Sequence, residues 1–227
     1  MGLFIIPAIL LYLICQQAQA ACVQDLMKLI THDVSKTELD LNVTIVEITN
    51  RIKNAKEDID ALILKSKLEI QSERAILEDL ESAAYGRSMV EKKSIADCLE
   101  NDRVQMKIIN TTESIIYRLC RADLSILLVE SSILSVELVS RELEKQLEIC
   151  VNENSSNCEK EVACIKETLK YINDKLDDIN TKVEERLQEI YTTSQICANG
   201  KKAMVISMIK EQESNFNYCV SKILKNV

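Results

Sequence analysis

From residue 21 to residue 227 there is no proline, and the only glycines are Gly86 and Gly200. Sheets and loop-rich folds need turn residues at short intervals, whereas long helices need almost none. That deficit restricts the chain to an all-α fold. The apolar spacing agrees. Ile45, Ile48, Ile52, Ala55 and Ile59 step by threes and fours, and a four-residue stutter resets the stripe to Ile63, Ile70, Leu77, Leu80 and Ala84. Val162, Ile165, Leu169, Ile172, Leu176, Ile179, Val183, Ile190 and Cys197 keep one heptad phase, with charged residues such as Asp174-Lys175 and Glu184-Glu185-Arg186 between them. Heptad spacing marks helices packed along their length. The stretch from about Met89 to Ile149 is aliphatic around more of its girth, as in Ile126-Leu127-Leu128-Val129 and Ile133-Leu134, so it is expected to be the most buried helix.

Two breaks divide the chain into thirds: Tyr85-Gly86-Arg87, and the small polar run from Val151 to Asn157. The expected architecture is an elongated antiparallel bundle of three long helices, over 22–84, 88–150 and 159–226, clamped by disulfides. Further breaks near 35, 110 or 200 would raise the count to four or five. Ser35-Lys36-Thr37-Glu38 resembles a capping box, and Asn199-Gly200 coincides with a shift of the apolar phase.

An apolar run from Leu3 to Ile14, followed by Ala18-Gln19-Ala20, reads as a secretory signal peptide over residues 1–20. Residues 21–227 are then a single helical, cysteine-paired extracellular domain with no membrane span in the mature chain. Cys15 leaves with the leader, and Cys22, Cys98, Cys120, Cys150, Cys158, Cys164, Cys197 and Cys219 remain, an even set that suits full pairing in an oxidising compartment. Sequons at Asn42, Asn110 and Asn154 add expected N-glycans.

Neighbouring antiparallel helices bring together residues whose numbers share a constant total. Cys98 with Cys219 and Cys120 with Cys197 both total 317, so two rungs fit one register between the second and third helices. The rival pair, Cys197 with Cys219, needs a tight reversal at Asn199-Gly200. A turn at Gly86 would set Cys22 opposite Cys150, gathering Cys22, Cys150, Cys158 and Cys164 at one end, where three connectivities stay open.

The charge balance of −8, with both signs interspersed, argues against nucleic acid and anionic membrane surfaces as partners. Catalytic equipment is scarce. The only histidine, His32, lies in the expected break Thr31-His32-Asp33, and paired cysteines offer no thiolate. Cys158 to Cys164 reads as disulfide framework before zinc, and no glycine-rich loop is present to hold phosphate. Acid pairs such as Asp177-Asp178 and Glu184-Glu185 read as solvated charge. No catalytic, cofactor or metal residue is expected.

The second half resembles the insect secreted family named for the tsetse EP protein, on Ile95-Ala96-Asp97-Cys98-Leu99, Cys120, the spaced Cys150, Cys158 and Cys164, Ile196-Cys197-Ala198-Asn199 and Asn217-Tyr218-Cys219. The likeness covers about residues 95–220. It implies secretion in an insect gut, gland or reproductive tract, with no established enzymatic activity to carry over. Two functions compete: a non-catalytic secreted glycoprotein with a structural or interaction role in an extracellular fluid, its partner an extracellular protein or itself, and a carrier of lipid or another small hydrophobic ligand.

Overall fold

The computed structural model describes residues 20–154 and 157–224, so the expected leader lies almost wholly outside it, as does the side chain of Cys22. The described residues are helical apart from short turns at 92–95, 121–122 and 157, and none of them forms a strand. Helix α1 spans Ala20–Lys28, a π-helical segment Leu29–Val34, α2 Ser35–Glu91, α3 Ala96–Cys120, α4 Asp123–Asn154 and α5 Cys158–Leu224. An all-α, disulfide-clamped bundle is the fold.

The breaks fall elsewhere than the glycines suggest. Helix α2 runs through Gly86 and α5 through Gly200, both without positive φ. A Cβ added to either glycine would meet nothing within 4 Å. The first turn comes at Lys92, whose φ is 53°. Its N–H donates to the Met89 carbonyl and the N–H of Lys93 to that of Ser88, the paired bonds of a Schellman ending with lysine in the position glycine usually takes. Lys93 then turns its ammonium onto the Leu224 carbonyl, closing the end of α5. The break expected near 110 lies instead at Arg121-Ala122, where Ala122 has φ 54°. Near 35 the chain stays helical but widened. Ser35 donates to the Ile30 carbonyl and Thr37 to that of Asp33, so both hydroxyls back-bond into the preceding turn and the capping box does not form. Asn157 does cap α5, accepting from the N–H of Lys160 at 3.2 Å.

The chain gathers into two compact units. Unit 1 holds residues to Lys53 and Leu124–Gln188, and unit 2 holds Asn54–Asp123 and Glu189–Val227. Their seams differ in period. In unit 1 the core positions of α4 recur at 126, 129, 133, 136, 139, 143, 147 and 150, with 129, 136, 143 and 150 seven apart, and those of α5 at 165, 169, 172, 176, 179 and 183 in alternating threes and fours. In unit 2 the steps become three, four, four. They run through 98, 102, 106, 109, 113, 117 and 120 in α3, and through 187, 190, 194, 198, 201, 205, 209, 212, 216 and 220 in α5. Helix α2 changes over at the step from Ile48 to Ile52 and α5 at the step from Val183 to Leu187, each within a few residues of the unit boundary. The stutter read in the sequence after Ile59 is one of a series, a sustained eleven-residue repeat.

Within unit 2, Cys98 bonds Cys219 and Cys120 bonds Cys197, with Cα separations of 5.9 and 5.5 Å. Beside the first rung, Phe216, Val220 and Leu224 pack with Ala84 and Ile95. In unit 1, Cys150 bonds Cys164 across the Asn-rich connection, which removes Cys22 as the partner of Cys150. Arg74 with Glu113, Lys67 with Tyr117 and Arg121 with Asp60 are centred on about residues 90 to 94, because the turn is at Lys92 rather than Gly86. Cys158 is disulfide-bonded as well.

Candidate functional site

The sparse polar chemistry of the sequence resolves into ordinary surface pairs. His32 is exposed and pairs with Asp33 at 3.0 Å. Asp178 pairs with Lys182 and Glu184 with Arg51, so neither acid doublet forms a pair of carboxylates facing a cleft. Among the described residues no cluster of His, Cys, Asp and Glu is arranged to hold a metal ion, and no helix is long and apolar enough to cross a membrane. Asn42 and Asn110 stand exposed on α2 and α3, and Asn154 ends α4 beside the undescribed Ser155-Ser156. The Asn42 amide donates to the Glu38 carbonyl and the Asn154 amide to that of Cys150.

Unit 2 buries ionisable groups that apolar spacing did not single out. Asp102, only 1% exposed, accepts from Gln212 Nε2 at 2.7 Å. Glu81 shares a hydrogen bond with it, and burial first, then Asp102, pushes the Glu81 carboxyl up to about 7. Glu113 is held by Arg74, whose Nε is buried without a partner. A signal was present: Asp102 and Glu113 lie eleven residues apart on stripe positions of α3, and Gln212 occupies one on α5. Reading the stripe in sevens hides them.

Between α2 and α3 in unit 2 lies an open groove of about 400 Å³. Ile63 and Tyr117 form its apolar part, and Lys67, Arg74, Arg118 and Arg121 border it against the single acid Glu113. Lys67 Nζ sits 5.6 Å from the Tyr117 ring centroid. The Tyr117 hydroxyl is buried with Ser66 beside it, outside bonding geometry. Burial, then Glu113, raises its pKa. A groove of this kind suits an apolar body with an acidic head.

The larger surface feature is on α4. The stretch expected to be the most buried helix is buried on one face only. Opposite the seam, Leu124, Leu127, Leu128, Leu134 and Leu138 are 79, 56, 65, 59 and 61% exposed. Leu124, Leu127, Ser131, Leu134 and Leu138 themselves follow threes and fours, a second heptad stripe. Composition showed a helix apolar on two sides but not how many neighbours this chain provides. Shorter outer stripes occur at Leu39, Val43 and Val46 on α2 and at Val104, Ile108, Ile115 and Leu119 on α3. Sequons fall within both, at Asn42 and Asn110, and none lies between 124 and 138. No family model, curated protein or solved structure matches the chain.

Proposed function

We propose that this chain is a non-catalytic secreted glycoprotein that acts in an extracellular fluid through contacts made by its helix faces. The outer leucine face of α4 carries the reading. Five leucines more than half exposed on one side of one helix exceed what a solvated surface needs, and patches of this sort mark interaction sites. Disulfides suit an oxidising compartment, and the signal-like leader and the sequons suit passage through the secretory route. The resemblance to the tsetse EP family supports an insect gut, gland or reproductive tract as the setting.

Expression of the full chain in secreting eukaryotic cells tests this. The expected product is in the medium, begins at Ala21 and loses mass on N-glycanase treatment. Retention in the cytosol with free thiols overturns secretion, and a hydrolytic activity abolished by Asp177→Asn/Asp178→Asn overturns the non-catalytic reading.

The groove of unit 2 favours a second reading, a carrier of an acidic lipid or another small hydrophobic ligand. Native mass spectrometry of protein from its source would then show a bound apolar species, displaced in Arg118→Glu. Its absence, together with no uptake of a fluorescent fatty-acid probe, removes this reading.

A further inference from the structure

We propose that the C-terminal half of α3 in unit 2 binds one single-chain amphiphile with a carboxylate head, the head held between Lys67 and Arg118 and the chain laid over Ile115 and Leu119. This rests on the carrier reading above and names the ligand class and the residues that select it.

The charge is local. From Arg103 to Arg121 the one acid among Arg103, Lys107, Arg118 and Arg121 is Glu113, which is buried and engaged by Arg74. In a chain of net charge −8, a stretch of this sign is not a by-product of composition. Of the cations bordering the groove between α2 and α3, Arg74 is paired with Glu113 and Arg121 with Asp60 at 3.3 Å. Among the described residues Lys67 and Arg118 have no acidic partner. Glu69, the acid nearest to Lys67 in the sequence, is held by Lys202 at 2.6 Å. The register that sets Lys67 over Tyr117 and Arg121 beside Asp60 brings Lys67 and Arg118 to the same end of the groove. Two cations converging there without a counter-charge select an anion, and a guanidinium fork beside an ammonium suits the paired oxygens of a carboxylate.

The apolar half of the site begins at the same arginine. Arg118 and Arg121 also border a second hollow of about 450 Å³, whose apolar lining is Ile115 and Leu119, 57 and 73% exposed. Asp123, the one acid lining this hollow, lies in the first turn of α4, where the helix terminus favours its charge. The floor of the groove is closed by comparison, since Ile63 and Tyr117 are 4 and 3% exposed and offer a chain little area. The head therefore belongs in the groove and the chain outside it, crossing α3 at Arg118. Both hollows fall within the ~300–1,000 Å³ of small-molecule sites. The sequon at Asn110 lies eight residues before Arg118, about 12 Å along the helix, so a glycan there leaves the head site open.

Titration of the secreted, glycosylated chain with dansyl-undecanoate and with its methyl ester tests the proposal. The expected result is one site that takes the acid about tenfold more tightly than the ester. Lys67→Gln/Arg118→Gln should bring the acid down to the level of the ester, and Ile115→Ser/Leu119→Ser should weaken acid and ester alike by about tenfold. All four side chains are exposed, so these variants keep the fold, which circular dichroism verifies. Leu127→Ser/Leu134→Ser, on the outer face of α4, should leave binding unchanged. An ester that binds as well as the acid overturns the charged clamp and leaves the carrier reading standing, whereas failure of both probes to bind removes the two together. Equal loss from Leu127→Ser/Leu134→Ser overturns the placement on α3. Inorganic phosphate that displaces the probe as readily as decanoate does marks a site for free anions and overturns the role of Ile115 and Leu119. Sedimentation with phosphatidylserine vesicles, in place of binding to the free acid, overturns a single-molecule ligand in favour of a membrane surface.

Discussion

Unit 1 and unit 2 draw on the same long helices α2 and α5 yet meet the demands of packing differently. Unit 1 keeps a seven-residue seam, which suits a left-handed wrap, and its Cys150–Cys164 disulfide closes a separation of 14 residues. Unit 2 follows an eleven-residue repeat of 3.67 residues per turn, which suits straight or slightly right-handed helices. It admits Asp102, Glu113 and Gln212 to stripe positions and holds two disulfides spanning 121 and 77 residues. Both units bury acids, Glu161 in unit 1 as well as Asp102 and Glu113 in unit 2, and unit 2 carries the longer covalent closures. The comparison teaches that periodicity and cross-linking are linked choices within one fold.

The largest expected effect is on those closures. Removing Cys98–Cys219 by paired serine substitution should lower stability by about 4 kcal/mol, against about 3 kcal/mol for Cys150–Cys164, on the loop-length dependence of closure entropy. Thermal melts with hydrogen exchange should show the first loss concentrated in unit 2, and an equal effect from both pairs would break the comparison. If the leader takes Cys15 with it, non-reducing maps should also join Cys158 to Cys22, the one cysteine then left beside the three pairs.

The next effect is on pH. Glu81 titrates near 7 in the fold, above its ordinary value of 4.5, so its contribution is fully present below pH 4.5 and is lost as pH rises through 7. Unit 2 should therefore loosen between those values more than unit 1, where burial also raises the Glu38 and Glu161 carboxyls. Glu81→Gln should flatten this dependence and add about 1 kcal/mol at pH 8, a figure reduced for the carboxyl's partial exposure. Hydrogen exchange across the pH range gives the check, and a uniform response of both units would remove the distinction.

Smaller still are the backbone effects. Gly86→Ala and Gly200→Ala, each with open space for the new methyl, should each add about 1 kcal/mol to melting stability. Lys92→Gly and Ala122→Gly, at left-handed positions, should add a similar amount, up to about 1 kcal/mol. These glycine positions show what was legible in the sequence and what was not. The lack of proline announced helices, and the shared total of two cysteine pairs anticipated the rungs of unit 2. The turns were hidden because neither left-handed residue is a glycine: Lys92 and Ala122 end helices, while Gly86 and Gly200 lie inside them. Of the three connectivities left open among Cys22, Cys150, Cys158 and Cys164, the fold takes one that joins Cys150 to Cys164. The groove of unit 2 was illegible for a related reason. Lys67, Arg74, Arg118 and Arg121 sit on two helices and converge only once the turn is in its true place.

The disulfides are nested around one connection. Cys150–Cys164, Cys120–Cys197 and Cys98–Cys219 all span the run from Val151 to Asn157, the chain's most loop-like sequence. A protease that cuts there separates no fragment, since three covalent bonds still join the pieces, and the helices on either side keep their registers. A chain nicked there persists as one molecule until a reductant rather than a second cut takes it apart.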